Sequence, residues 1–260
     1  MNAATPQQQT LEIYAGIGVA LLLATLVGHK LKVAVARGER HDVIDNLNAR
    51  IRSWWVMVAV TGCAFLLGRA GVTVLFVLLC ALVLREFVTV TSARVHHGCA
   101  IATGFVVVLC LAHAPALLVL DVSGYEGRGV MLIVFLVVVA QAGDVLQYVW
   151  GKLAGRRRLA PSVSPSKTWA GTIGGVASAT VLGIALWWIT PFDPWRAGAM
   201  ALAINVMGFI GGLASSAIKR ACGVKDWGTL IDGHGGVLDR LDSVAFAAPV
   251  FFHLVRLGWT

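Results

Sequence analysis

Between Ser216 and Ser243 the chain reads Ser-Ala-Ile-Lys-Arg-Ala-Cys-Gly-Val-Lys-Asp-Trp-Gly-Thr-Leu-Ile-Asp-Gly-His-Gly-Gly-Val-Leu-Asp-Arg-Leu-Asp-Ser. Four cations (Lys219, Arg220, Lys225, Arg240) and four carboxylates (Asp226, Asp232, Asp239, Asp242) fall within these 28 residues. Asp239 and Asp242 stand three apart, which places both on one face if they open a helix. Paired carboxylates suit Mg2+, which also takes phosphate oxygens and water. Lysine and arginine supply further phosphate neutralisation. Gly235 and Gly236 allow backbone to approach a ligand closely, and His234 beside them either donates to a phosphate or braces the turn. The plainer reading is a solvated, salt-bridged loop. So many charges beside Gly-His-Gly-Gly argue against it.

A second group precedes an apolar run. Ser164-Pro165-Ser166-Lys167-Thr168 places hydroxyls and an ammonium just before a helix, where free amides favour a phosphate. The glycine pattern of a Walker A loop is absent. Arg156 to Arg158, just upstream, read more simply as charges that set membrane orientation. A third feature is Asp144, inside an apolar segment where a carboxylate costs at least ~2.5 kcal/mol near the span centre. At helical spacing it shares a face with Gln141, Tyr148 and Lys152, with Gln147 beside them. A pairing with Lys152 or a stripe of interhelical hydrogen bonds would be structural. A polar cavity wall holding a cation or substrate explains the set better. In the next apolar segment but one, Gly208, Gly212 and Ser216 have small-residue spacing, with Asn205 and Lys219 on the same side. That face packs either within the chain or across a homodimer, and its end delivers Ser216, Lys219 and Arg220 to the interface.

The elements positioning these groups follow from composition. Of 260 residues, 58% are hydrophobic and 13% charged, about half the charge of an ordinary soluble domain. Mean hydropathy is +0.80. A water-soluble enzyme and a disordered chain are both excluded. The net charge of +8 sits in short loops between apolar runs, which points to lipid headgroups and not to nucleic acid. Five cysteines without CxxC spacing argue against a disulfide framework.

Apolar stretches run roughly over 11–28, 54–68, 71–84, 100–120, 129–150, 169–190, 197–217 and 243–258. They predict an all-α polytopic membrane protein with about eight spans, seven to nine. The first run follows a start without Lys or Arg and without a convincing cleavage site, and is read as a retained span. His41 to Ile51, with Val43, Ile44, Leu47 and Ile51 on one side, reads as an amphipathic interfacial helix. The connections 29–53, 85–99, 151–168 and 218–242 hold 17 of the 21 Lys and Arg residues. The alternate connections hold Arg69, Arg128 and Arg196. The positive-inside rule then places the first set in the cytoplasm and both termini outside. The chain divides into an N-terminal membrane region, 1–99, and a membrane-embedded catalytic region, 100–260.

The 216–243 segment resembles the signature of the phosphatidate cytidylyltransferases, or CDP-diacylglycerol synthases. The match runs through Ser216, Ile218, Lys219, Arg220, Lys225, Asp226, Gly228, Ile231, His234, Gly235, Gly236, Val237, Asp239, Arg240, Leu241 and Asp242. Leu159-Ala160-Pro161, Ser164-Pro165-x-Lys167-Thr168-Trp169, Gly174-Gly175 and Asp144 ahead of Tyr148 and Gly151 resemble the family as well. The sequence departs from it at Asp232 (Pro or Gly in the family), at Ala170 (usually Glu) and in the Val-Leu-Gln after Asp144.

The resemblance implies that CTP and phosphatidate give CDP-diacylglycerol and pyrophosphate, in a bacterial inner membrane with the active site facing the cytoplasm. Asp239 and Asp242 are expected as metal ligands, with Asp226 and Asp144 as further candidates and Mg2+ or another divalent cation as the metal. Lys219, Arg220, Lys225 and Arg240 are expected to neutralise substrate phosphates. Ser164, Lys167 and Thr168 form a second phosphate-facing group, joined by Ser216, Gly235 and Gly236. His234 donates to a phosphate or braces the glycine turn. Two rivals are a transferase acting on another lipid phosphate, isoprenoid or ether lipid, and a transporter using Asp144 as an ion pathway. The Asp-Gly-x-x-Ala-Arg pattern of CDP-alcohol phosphotransferases is absent.

Overall fold

The structure, a computed structural model, describes residues 6–35, 39, 41–231 and 235–259. Within them the eight apolar stretches become eight helices. These are α1 (Pro6–Ala34), α2 (Asp42–Leu66), α3 (Gly68–Thr91), α4 (His97–Ala116), α5 (Gly129–Ala154), α6 (Trp169–Ala185), α7 (Pro194–Ala221) and α8 (Leu238–Trp259). The all-α expectation needs one amendment. Between α5 and α6 the chain forms an antiparallel hairpin of β1 (Arg158–Ala160) and β2 (Ser164–Thr168).

By length and composition α1, α3, α4, α5, α7 and α8 can cross a membrane. Helix α6 has 17 residues, and α2 carries Asp42, Asp45, Arg50 and Arg52 in its first three turns. The helix expected over 41–51 forms and runs unbroken into the next apolar stretch as α2. Ile44 and Ile51 are buried while Val43 is exposed, so the apolar face is narrower than the sequence pattern indicated. The short stretches 71–84 and 243–258 lengthen for the same reason. Backbone groups in lipid need partners, so helices continue into polar flanks.

The charged connections after α3, α5 and α7 meet at one end of the bundle. There Arg94 lies 3.1 Å from the position a Cβ on Gly223 would take, and Arg220 Nε donates to Val163 O at 3.3 Å. At the opposite end the Tyr125 hydroxyl donates to Ile189 O. Arg128 donates to Gln9 Oε1 at 2.6 Å, and the Arg196 guanidinium lies over the Trp259 ring. An aromatic cluster of Phe135, Phe192, Phe251 and Trp259 fills that end.

Lipid tails are as apolar as leucine, so close packing holds such helices together more than transfer from water does. Small residues make it possible. A Cβ on Gly175 would fall 2.4 Å from Gln147 Cγ, and one on Gly211 2.5 Å from Phe246 Cβ. A Cβ on Gly208 would come within 3.2 Å of Ser243 Cβ, and one on Gly212 within 3.2 Å of Lys167 Nζ. The Gly208/Gly212 face read as a packing or dimer surface is therefore used within the chain. These contacts fix α5 against α6 and α7 against α8, the elements that carry the polar residues.

Candidate active site

Helix α7 stops where its sequence tells it to. Gly223 adopts φ 74°, a left-handed conformation that favours glycine. The N–H of Val224 reaches Lys219 O, and that of Gly223 reaches Arg220 O, which together satisfy the last carbonyls. Lys219 is left in the final turn, where its ammonium donates to Asp239 Oδ1 at 2.6 Å. Asp239 Oδ2 accepts the N–H of Trp227 at 2.7 Å and that of Gly236 at 2.8 Å. Three of its roughly four acceptor sites are thus filled by the protein. Asp239 thus ties the end of α7 to Trp227 and Gly236.

Trp227 anchors that loop. Its indole N–H donates to Ser215 Oγ at 2.8 Å, and its ring stacks on Phe87 of α3 with centroids 5.1 Å apart. The start of α8 is held by a second carboxylate. Glu86 Oε1 accepts the N–H of Val237 at 2.9 Å, and Oε2 that of Leu238 at 2.8 Å. A helix N-terminus is an anion seat, and here protein carboxylates fill it. Side-chain cations are what remain to meet phosphate.

Lys167 is one such cation at the cavity. It lies at the end of β2, with its ammonium over the Phe209 ring at 4.7 Å. Burial pushes this ammonium down from the usual lysine range, Asp144 and Asp242 push it back up, and Lys219 lowers it again. Asp144 on α5 and Asp242 on α8 are also electrostatic neighbours of each other. Asp144 further faces Arg240 and Ser243. The result is an alternating run of charge through Asp144, Lys167, Asp242, Lys219 and Asp239.

A cavity of about 140 Å³ opens between α5, β2 and α6, lined by Asp144, Gln147, Tyr148, Ser166, Lys167, Thr168 and Thr172. Thr168 both lines it and caps α6, accepting the Gly171 N–H at 3.1 Å. Lys152 lies over the Tyr148 ring, while Asp144 faces Lys167 and Arg240 instead. Gln141, on the same stripe, donates to Arg240 O at 2.7 Å and ties α5 to α8.

The donor set at Asp144 and Asp242 fits a hard divalent cation, because two like-charged carboxylates stand together beside Ser243 and phosphate oxygens or water can complete the shell. Among the described residues no group of three or more His, Cys, Asp or Glu has metal-binding geometry. Among the described residues, Arg240 Nε and Asn205 Oδ1 are buried here without a hydrogen-bond partner. The Asn205 oxygen points at Gly143, next to Asp144.

Other expected residues sit elsewhere. Arg220 donates to Val163 O and Val224 O and braces the hairpin against the loop. Lys225 and Asp226 are exposed, with Asp226 Cβ 3.0 Å from the position of a Cβ on Gly235. Ser164 is buried in β2 opposite Ala160. Ser216 is half-buried, and the serine that bonds the loop is its neighbour Ser215. Gly235 pairs with Ile231. His234 and Asp232 lie outside the described residues. Sequence reasoning missed Glu86, Trp227 and Thr172. Glu86 is a carboxylate in an apolar helix, the signal that flagged Asp144, but the stretch was ended at residue 84.

A model of the cytidylyltransferase family matches residues 96–258, more than half the chain. The chain belongs to that family. An uncharacterized Escherichia coli (strain K12) protein, YnbB, is 42% identical over 167 residues, covering 64% of this chain and 56% of YnbB. A Brucella abortus (strain 2308) protein named phosphatidate cytidylyltransferase is 35% identical over 201 residues, covering 76% of this chain and 71% of the relative. One of the same name from Synechocystis is 42% identical over 118 residues, covering 45% of this chain and 40% of its own length. The cytidylyltransferase match takes in α4 to α8 and the whole charged run, and leaves outside it Glu86 and Phe87 of α3 and Arg94 in the turn after α3.

Proposed function

We propose that the chain transfers the cytidylyl group of CTP to phosphatidate, giving CDP-diacylglycerol and pyrophosphate. The observation that carries this reading is the meeting of Asp144, Lys167 and Asp242 at the charged end of the bundle, in a cytidylyltransferase whose relatives include proteins named for that reaction. A phosphate oxygen of the lipid attacks the α-phosphorus of CTP, and the bond to the β-phosphate oxygen breaks as pyrophosphate leaves. The attacking oxygen is already ionised, so the site needs neutralisation and alignment of two polyanions more than a strong base.

In this reading Lys167, with Ser166, Thr168 and Thr172 at the cavity, receives a phosphate group, and Arg240 and Lys225 meet the other substrate. Lys219 and Asp239 hold α7 and α8 in register. Asp144 and Asp242 would hold Mg2+, which when bound neutralises phosphate oxygens of both substrates. The lipid reaches the cavity from the bilayer across the exposed apolar flanks of α5 and α6, which include Val145, Val149, Trp169 and Ile173. All eight helices cross the bilayer in this reading, α2 and α6 included, with the charged end in the cytoplasm of a bacterial inner membrane. Seventeen Lys and Arg residues in the connections at that end support the orientation. The extent of the family match supports a catalytic region over 100–260 and an N-terminal region over 1–99.

The test is pyrophosphate release by the purified protein in detergent with CTP, phosphatidate and Mg2+, each omitted in turn. Release that requires all three, with a CDP-lipid product, is expected. A folded, CTP-binding protein that releases pyrophosphate only with another lipid phosphate would overturn the acceptor.

A further inference from the structure

A carboxylate of α3 ties the N-terminal helices to the start of α8. Glu86 sits in α3, ten residues before the region that matches the family. Both its oxygens accept backbone N–H groups at the start of α8, at 2.9 and 2.8 Å. The loop glycines are shaped to it. A Cβ on Gly228 would fall 2.8 Å from Glu86 Oε1, and a Cβ on Gly236 would fall 2.5 Å from Oε2. The next residue of α3, Phe87, stacks on Trp227, so the clamp has a polar and an aromatic half.

We propose that Glu86 is a positioning residue of the active site. It fixes the first turn of α8, which carries Asp239 and leads directly into Asp242, against α3. The proposal rests on the reaction proposed above, but its geometry does not. The two N–H groups it satisfies belong to Val237 and Leu238, one to two residues before Asp239. Losing them frees the turn to fray and tilt, and displacement near 1 Å at the reacting groups reduces turnover by about a hundredfold. A carboxylate is required because two donors converge on it. Glutamine offers one acceptor and turns an N–H toward a backbone N–H.

The experiment compares wild type with Glu86→Gln and Glu86→Ala in detergent by two readouts. Amide hydrogen exchange over residues 235–241 should accelerate in both variants while the other helices keep their protection. The kcat should fall by about ten- to a hundredfold, with KM for CTP and for phosphatidate within about twofold, as expected when alignment is lost and binding is kept. Wild-type kcat in Glu86→Ala would overturn the proposal. So would loss of protection throughout the bundle, which would make Glu86 a general stability residue. If the wild-type protein makes no CDP-lipid, the reaction assigned above fails; unchanged exchange over 235–241 in the variants then still overturns the clamp.

Discussion

Two lysine–aspartate pairs in this molecule close at the same 2.6 Å, and they do opposite things. Lys32 and Asp45 join α1 to α2, with side chains 27% and 40% exposed. Lys219 and Asp239 join α7 to α8, with side chains 10% and 3% exposed. Distance does not separate them; their surroundings do. Lys32 also donates to Glu39 O, and Asp45 accepts from the His41 N–H, in a solvated connection. Asp239 holds two loop amides besides its lysine and stands in a charged run ending at Asp144. A surface pair in water contributes little and is screened by salt. A buried pair contributes modestly when intact and costs heavily when only one partner is removed, because the other charge stays buried.

The comparison is tested from its heaviest side. Lys219→Met should destabilise the protein by on the order of 3–5 kcal/mol and release the 226–236 loop, read as a fall in the thermal midpoint in detergent with loss of turnover. A midpoint close to wild type would show that Asp239 does not depend on the lysine.

Asp242→Asn should leave the fold standing and lower turnover by about a hundredfold or more. The hydrogen bond Asp242 accepts from the Ser243 N–H at 2.8 Å is one an asparagine oxygen can also accept. Retained activity would remove Asp242 from the reacting site and return attention to Asp239. The smallest effect belongs to Lys32→Ala. It should change stability by no more than about 1 kcal/mol, and less at high salt, with turnover unaltered. A loss as large as that of Lys219→Met would break the contrast.

A similar contrast runs through the helices. The apolar stretches of α1 and α5 are about equally hydrophobic, yet 6% of the first and 56% of the second is buried. Hydropathy told that both were long apolar helices but not which would face lipid. The glycines carried more. Gly208 and Gly212 marked the close approach of α7 to α8 and Lys167. Asp144 and the 216–243 run were legible because charge in an apolar chain needs a reason. Thr172 was not, because its place in the cavity depends on how α6 lies against α5. Trp227 looked like an ordinary loop aromatic until Phe87 and Ser215 came to meet it.

Composition, spacing and loop charge by themselves determined that this is a helical membrane protein, where its helices fall, and which residue groups are the candidates for phosphate chemistry. Those properties are local, set by hydropathy along the chain and by residue type. The tertiary structure decided the partners. Asp239 turned toward Lys219 and two loop amides, while Asp144 and Asp242 came together around Lys167. Glu86, from outside the family-matched region, took the start of α8. Each of these depends on three-dimensional contacts between helices far apart in sequence. A carboxylate's role follows from the donors that reach it, and spacing along one helix does not contain that information.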